Sequence, residues 1–189
     1  PIPGLKDVPY LTNETLFSLT ELPRRLGVIG AGPIGCEMAQ SFARFGSEVF
    51  LVETEHGLLP REDHDASAMV RAQMLRDGVH MVGGGREIRL ARGAQGVRMQ
   101  GQSQGQTYDR EVDQLLIAVG RAPNVEGLGL ETVGVDFDKK GVKVNDRLQT
   151  ANPRIFACGD ICSPYQFTHA ADFMARIVIQ NALFKGRAK

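Results

Sequence analysis

The sequence predicts an α/β fold with a parallel sheet at its centre. Apolar runs at residues 25–29, 48–52 and 79–82 have the length and composition of buried strands. They alternate with residues 33–45 and 63–77, in which the apolar positions recur at helical spacing. Strands that alternate with helices form parallel sheets with right-handed crossovers, so we expect a β-α-β-α-β unit.

An antiparallel meander is predicted to follow this unit. Residues 86–112 are rich in Gly and Gln, as a flexible linker is, but their apolar residues alternate with polar ones, which favours strands joined by tight turns. The alternating apolar positions are Ile88, Leu90, Val97 and Met99. Residues 112–120 then predict a buried strand that returns to the parallel sheet.

The predicted helices have apolar positions that we expect to face inward. For residues 33–45 these positions are Ile34, Met38, Phe42 and Phe45, and for residues 63–77 they are Met69, Met74 and Leu75. For a last helix over 168–184 they are Ala171, Met174, Ile177, Val178 and Leu183. The proline-rich residues 1–23 predict an extended connector, with a short helix near Asn13–Ser18.

Composition narrows the class of protein. Lys plus Arg and Asp plus Glu number 22 each, so no net charge attracts the chain to nucleic acid or to an anionic membrane. No apolar run approaches the roughly 20 residues that cross a bilayer. Three cysteines fit a reducing compartment, so we expect a cytoplasmic protein. The sequence begins with Pro and not Met, and we expect it to be part of a longer protein.

The segment 30–35 is the strongest functional motif. It reads Gly30-Ala31-Gly32-Pro33-Ile34-Gly35, follows a predicted strand and opens a predicted helix, which indicates a Rossmann-like dinucleotide site. Gly30 permits a tight turn, Gly32 lets a pyrophosphate approach the backbone, and Gly35 lets the helix pack against the strand. Pro33 fits the first helical turn, where its missing N–H costs little.

Glu53 is expected to select the nucleotide. It stands at the end of the second predicted strand, where a carboxylate accepts hydrogen bonds from both hydroxyls of an adenosine ribose and repels a 2′-phosphate. No pair of arginines follows it. The site is therefore predicted to prefer NAD(H) to NADP(H), the alternative being a structural glycine turn beside a surface glutamate.

Four motifs in one order carry a resemblance to a known family. With the glycine motif, Glu37, "AVGRAPN" and "ACGD", the chain resembles the flavin-dependent pyridine nucleotide–disulfide oxidoreductases, which include dihydrolipoamide dehydrogenase and mercuric reductase. The resemblance implies that residues 1–21 end a first FAD-domain segment. It implies an NAD(H)-binding domain over 22–121, of three layers with its meander, and a second FAD-domain segment over 122–189.

The resemblance also implies roles near the cofactors for three residues. Glu37 matches a helix glutamate at the junction of nicotinamide and flavin, although an exposed acid near a helix N-terminus is the structural alternative. Gly120 and Arg121 match a Gly-Arg turn where the chain passes the cofactor. Arg121 is equally well explained as a surface cation.

FAD-binding residues follow from the same resemblance. Asp160 matches an aspartate that binds the ribityl or pyrophosphate part of FAD, with a turn after a strand as its alternative. Thr168, His169 and Ala170 match a helix N-terminus that faces the flavin ring and stabilises its anionic reduced form. A histidine such as His169 is, taken alone, more often a capping or surface residue.

Several features depart from the family. The sequence has no second G-x-G-x-x-G motif and no C-x4-C pair, and Cys158 and Cys162 are separated by only three residues. We expect both to be inert, and Cys36 to have a packing role in place of a pKa lowered by the helix dipole. A metal site around His64 has poor spacing, so no metal is predicted.

These observations predict a function and one alternative. We expect the central part of an enzyme that transfers hydride from NADH to FAD and onward to a disulfide, a metal ion or another acceptor. The full-length parent would bind FAD and form a homodimer through a C-terminal domain. The isolated chain would be a catalytically inactive NAD(H)-binding module, and a flavin-independent dehydrogenase has less support.

Overall fold

The computed structural model describes residues 2–53, 57–184, 186 and 188–189. The chain divides into two compact units, of which the first ends at Gly120 and the second begins at Arg121. Each unit has its own secondary structure and is described separately.

A four-stranded parallel sheet forms the centre of the first unit, as predicted. Its strands are β1 (Arg25–Ile29), β2 (Glu48–Val52), β3 (Val79–Val82) and β7 (Gln114–Ile117). They lie in the order β3-β2-β1-β7. The connecting helices are α1 (Pro33–Phe45) and α2 (His64–Arg76). The returning strand β7 is shorter than the predicted 112–120, because Val112 still belongs to the meander and the chain turns at Asp113.

The antiparallel meander is also confirmed. Its strands are β4 (Arg86–Arg92), β5 (Val97–Ser103) and β6 (Gln106–Val112), with β5 in the middle. Gln104 and Gly105 connect β5 to β6 with φ angles of 50° and 78°. Two central residues with positive φ give the tight hairpin turn whose twist matches that of its strands.

Two apolar clusters make the first unit a three-layer structure. Side chains on one face of the parallel sheet, such as Val28 and Leu51, pack against the two helices. Side chains on the other face, such as Ile29 and Val52, pack against the meander. Alternate residues of a strand point to opposite faces, so both faces of these strands are buried.

The amino-terminal segment contributes to both clusters. Leu16, in a one-turn 3-10 helix over Leu16–Ser18, joins the helix-side cluster, and Val8 joins the meander-side cluster. Leu11 pairs with Leu116 of β7 in a parallel bridge. The predicted short helix near Asn13–Ser18 is thus present only in its last turn.

The buried face of α1 differs from the prediction. Gly35, Cys36 and Ala39 are its buried residues, and the side chain of Phe45 is 67% exposed. The helix lies so close to the sheet that only small side chains fit beneath it. Of the large residues that were predicted to face inward, Met38 and Phe42 are half-buried and pack at the edge of the cluster.

The buried face of α2 was also predicted incorrectly. Met74 is fully buried, but Met69 and Leu75 are 75% and 51% exposed. Residues that share a face with Met74 lie three or four positions away, at Val70 and Arg71, whereas Met69 and Leu75 lie on other sides of the helix. Asp63 is the N-cap residue of α2 and makes no side-chain capping bond.

The second unit contains little regular structure before its helix. A two-stranded hairpin is formed by β8 (Phe137–Asp138) and β9 (Gly141–Val142), and a 3-10 turn spans Gly159–Ile161. Helix α3 (Thr168–Leu183) buries Ile177, but Leu183, predicted to face inward, is 72% exposed. No helix among the described residues is both long and apolar enough to span a bilayer.

Candidate dinucleotide-binding site

Gly30 directly follows β1 at the carboxyl edge of the parallel sheet. Its φ is 110°, and a Cβ added there would lie 2.4 Å from the carbonyl oxygen of Ala118. Its N–H donates to the carbonyl of Val52 at 3.0 Å. Only glycine fits both this φ and this close approach to the chain that leaves β7, so the tight turn after β1 depends on it.

Gly35 seats α1 against the same turn. A Cβ on Gly35 would lie 1.9 Å from the carbonyl oxygen of Gly30, closer than any two such atoms can approach. The helix therefore begins directly over the turn, which matches the close helix–strand packing expected of this position.

Gly32 has an opposite environment. It is the N-cap of α1, with φ −76° and ψ −177°, and no atom of the described residues lies within 4 Å of an added Cβ. Pro33 follows as the first helical residue, and the N–H groups of Ile34 and Gly35 belong to the first turn, where a helix supplies no acceptor. An open surface at a helix N-terminus, with the positive end of its dipole, suits an anion.

Glu53 directly follows β2 and is 4% exposed. Its Oε1 accepts a hydrogen bond from Nη1 of Arg71 at 2.6 Å. Its Oε2 is buried and has no hydrogen-bond partner among the described residues. A buried carboxylate oxygen without a donor is unfavourable, so the site has an unused acceptor that suits a ligand hydroxyl.

Arg71 is a residue that the sequence prediction missed. It lies on α2, on the face that Met74 buries, with its side chain 39% exposed. An arginine that affects nucleotide choice is expected just after the second strand, but Arg71 is 18 positions from Glu53. Correct placement of the inward face of α2 would have found it.

Two glycines after β3, Gly83 and Gly85, also lie close to Glu53. A Cβ on Gly83 would lie 2.6 Å from Oε1 of Glu53, and one on Gly85 would lie 2.7 Å from Cγ1 of Val52. The N–H of Gly85 donates to the carbonyl of Glu53 at 2.8 Å. The sequence shows these glycines as part of a run of three, and their function is to let the chain pass close to the carboxylate.

The thiol of Cys36 is not activated. Burial, with smaller effects of Glu53 and Glu37, raises its pKa to about 11, and its Sγ donates to the carbonyl of Ala31 at 3.4 Å. Burial likewise raises the pKa of Cys162 to about 11. These pKa values agree with the packing role expected of Cys36 and the inert thiol expected at position 162.

Glu37 and Gly120, which the resemblance places near the cofactors, lie at exposed positions. Glu37 is the fifth residue of α1 and its side chain is exposed. Gly120 has a φ of 135°, in the region that glycine tolerates best, and is exposed. The described residues contain no group of three or more side chains that could hold a metal ion.

Arg121 and Asp160 form an ion pair within the second unit. Nη2 of Arg121 donates to Oδ2 of Asp160, and Nη1 donates to the carbonyl of Gln166 at 3.2 Å. The guanidinium thus links the 3-10 turn that carries Asp160 to the segment before α3. The sequence suggested each residue separately but contained no sign that they pair.

Thr168, His169 and Ala170 form the first turn of α3, which no side chain caps. The ring of His169 stacks on Phe167 with centroids 5.4 Å apart. Thr168 and His169 are exposed. The N-terminus of α3 therefore leaves backbone donors that the helix itself does not satisfy.

The parallel sheet, the glycine turn and the carboxylate at the end of β2 define a Rossmann-type dinucleotide-binding protein. Residues 1–175 match the family model described as pyridine nucleotide-disulphide oxidoreductase. The chain therefore belongs to this family, as its motifs suggested.

Named relatives agree with this assignment. The chain is 36% identical to a mercuric reductase of Staphylococcus aureus, and the match covers 100% of this chain and 35% of that protein. It is 40% identical to a dihydrolipoyl dehydrogenase of Bacillus subtilis over 85% of the chain and 35% of that protein. The flavoprotein disulfide reductase RclA of Escherichia coli has a similar structure, with a TM-score of 0.87 and 33% identity over 100% of this chain and 43% of that one. The chain thus spans well under half of the length of these relatives.

Proposed function

We propose that this chain binds the nicotinamide nucleotide in an FAD-dependent oxidoreductase that transfers hydride from NADH to FAD and onward to a disulfide, a metal ion or another acceptor. The observation that carries the proposal is the buried Oε2 of Glu53, which has no partner among the described residues and lies at the same edge of the sheet as the glycine turn. Family membership supplies the flavin and the reaction class.

The glycine turn and α1 bind the pyrophosphate in this proposal. Gly32 leaves room for the phosphates, and the N–H groups of Ile34 and Gly35 donate to them. Pro33 fixes the first turn without removing a donor that the helix needs. Gly30 keeps the turn tight against the chain that leaves β7.

Glu53 binds the adenosine ribose, and this makes NAD(H) the preferred nucleotide. Its Oε2 is an acceptor for a ribose hydroxyl, and a hydrogen bond to it would remove the penalty of an unpaired buried oxygen. A 2′-phosphate at the same place would meet a negative charge from which water is excluded. The preference for NAD(H) is supported by the position of Oε2 of Glu53, which is buried and receives no hydrogen bond from the described residues.

The second unit contributes to FAD binding in the complete protein. Bound FAD supplies the hydride acceptor and passes the electrons onward. Asp160 would lie at its ribityl or pyrophosphate part, where the carboxylate would accept hydrogen bonds from ribityl hydroxyls. Thr168, His169 and Ala170 would offer N–H groups to its ring. Arg121 would hold Asp160 in place. Glu37 would lie at the junction of nicotinamide and flavin, and Gly120 where the chain passes the cofactor. We further propose a cytoplasmic homodimer that assembles through a segment beyond α3.

For the 189 residues alone we propose nucleotide binding without turnover. Cys158 and Cys162 lack the spacing of a redox pair, and the chain has a single glycine fingerprint. Calorimetric titration of the chain is expected to give weak binding of NADH, weaker binding of NADPH, and little or no binding of FAD. Tight FAD binding with NADH-dependent dye reduction would contradict this proposal, and no binding of NADH would contradict the site.

Replacing Gly83 with Ala is expected to lower NADH affinity with little loss of stability. The new Cβ would meet Oε1 of Glu53 at 2.6 Å, and the carboxylate can move away because it ends a flexible side chain. The displaced carboxylate loses its geometry toward the ribose, so we expect affinity to fall roughly tenfold, as when a hydrogen bond to a charged group is lost. Calorimetry measures the affinity and thermal unfolding the stability, and unchanged affinity would show that the carboxylate does not contact the ribose.

A further inference from the structure

We propose that Arg71 determines nucleotide specificity in two ways, an inference that rests on the proposed binding of NAD(H) at Glu53. While Glu53 is present, Arg71 orients its carboxylate toward the ribose. When Glu53 is replaced by a neutral residue, the same guanidinium becomes the group that binds a 2′-phosphate and admits NADP(H).

The orienting role follows from the asymmetry of the ion pair. Nη1 of Arg71 holds Oε1 of Glu53 at 2.6 Å, while Oε2 has no partner among the described residues. A carboxylate that is 4% exposed needs a compensating charge, and this single contact fixes which oxygen is left for a ligand. Gly83 borders the same Oε1, so the two neighbours confine that oxygen while Oε2 remains available.

The latent phosphate-binding role follows from the donors of the guanidinium that have no acceptor among the described residues. Arginine has five N–H donors in a planar fork that matches phosphate oxygens, and within the described part of the chain only one of them is in a hydrogen bond, to Glu53. The side chain is 39% exposed, so its other donors are reachable from the solvent side. In the native protein the negative charge of Glu53 offsets that of Arg71, and a 2′-phosphate gains little from the pair.

Four proteins test the proposal: the native chain, Glu53→Gln, Arg71→Met and the double variant. Each is titrated with NADH and with NADPH by calorimetry. Glu53→Gln keeps the shape of the side chain and is expected to raise the affinity for NADPH relative to NADH. Adding Arg71→Met to it is expected to lower NADPH affinity about tenfold or more, the effect of losing a charge-assisted hydrogen bond, and to change NADH affinity less than about twofold.

Arg71→Met alone is expected to lower NADH affinity several-fold, because the carboxylate loses the contact that orients it. Removal of one partner leaves a buried charge, and this variant loses stability as well. The double variant has no such charge and keeps the test valid if the single variant unfolds. Arg71→Lys in the Glu53→Gln background should bind NADPH with intermediate affinity, since it keeps the charge but not the fork.

Arg76→Met is the matched control. Arg76 lies on the same helix and its replacement removes the same charge, but its guanidinium contacts only Gln73 in the described bonds. This change should leave the affinities for both nucleotides unaltered in the Glu53→Gln background. NADH and NADPH differ by one phosphate. If the role of Arg71 were purely structural, its replacement would not change the ratio of the two affinities.

The outcomes separate the inference from the proposed function. If Glu53→Gln leaves the NADH-to-NADPH affinity ratio unchanged, or the native chain binds neither nucleotide, Glu53 does not contact the ribose and the proposed function is wrong. If the ratio changes but Arg71→Met leaves NADPH affinity intact in the double variant, the proposed function stands and the role of Arg71 is refuted. Unchanged NADH affinity in a folded Arg71→Met variant would refute the orienting role.

Discussion

Replacing Gly35 with Ala is expected to destabilise the first unit. The loss of stability should be larger than that caused by the same change at Gly32. Alanine in a helix interior has a propensity about 1 kcal/mol better than glycine. The added Cβ would, however, stand 1.9 Å from the carbonyl oxygen of Gly30, and both atoms belong to rigid backbone. Overpacking typically costs about 1–3 kcal/mol, and a clash between two atoms held by backbone lies at the upper end of this range, so the clash outweighs the gain in propensity.

Thermal unfolding measures this effect. A net loss of about 2 kcal/mol or more should lower the melting temperature by roughly 5 °C or more for a chain of this size. The affinity for NADH should fall as well, because α1 must move away from the turn that it covers. A Gly35→Ala protein as stable as the native one would show that the helix does not lie against Gly30.

The layers of the fold were predictable from sequence because both faces of the central strands are buried. Runs such as residues 26–29 have no polar positions, and such runs between helices specify a parallel sheet. The faces of the helices were harder to predict. Helix α1 packs so closely that its buried residues are Gly35, Cys36 and Ala39, whereas the spacing of large apolar residues placed the exposed Phe45 on the buried face.

The site was predictable only where its residues are close in sequence. The glycine motif and Glu53 lie within 24 positions of one another, at places that the strand–helix order fixes. Arg71 reaches Glu53 from α2, and Gly83 reaches it from the end of β3. These contacts depend on the rotation of α2 and on the pairing of β2 with β3, which composition and spacing do not specify.

Replacing Gly32 with Ala is expected to abolish most NADH binding while the fold is retained. The backbone of Gly32 has φ −76° and ψ −177°, which any residue adopts, and in the part of the chain that the structure describes no atom lies within 4 Å of an added Cβ. Loss of a favoured N-cap residue costs somewhat under 1 kcal/mol, and the lower entropy of the unfolded chain returns about 0.4–1 kcal/mol. The free energy of unfolding should therefore change by less than about 1 kcal/mol.

The binding loss has a separate cause, since the Cβ that Gly32→Ala introduces would occupy the space through which the pyrophosphate approaches the first turn of α1. Hydrogen bonds to a charged group contribute about 1.5–3 kcal/mol, so losing one lowers affinity by roughly 10- to 150-fold. Gly32→Ser is the matched variant, because serine is a good N-cap residue and still carries a Cβ. We expect it to bind NADH as poorly as the alanine variant by calorimetry. Recovery of binding with serine would attribute the loss to helix capping, and native affinity in both variants would show that the pyrophosphate does not lie against Gly32.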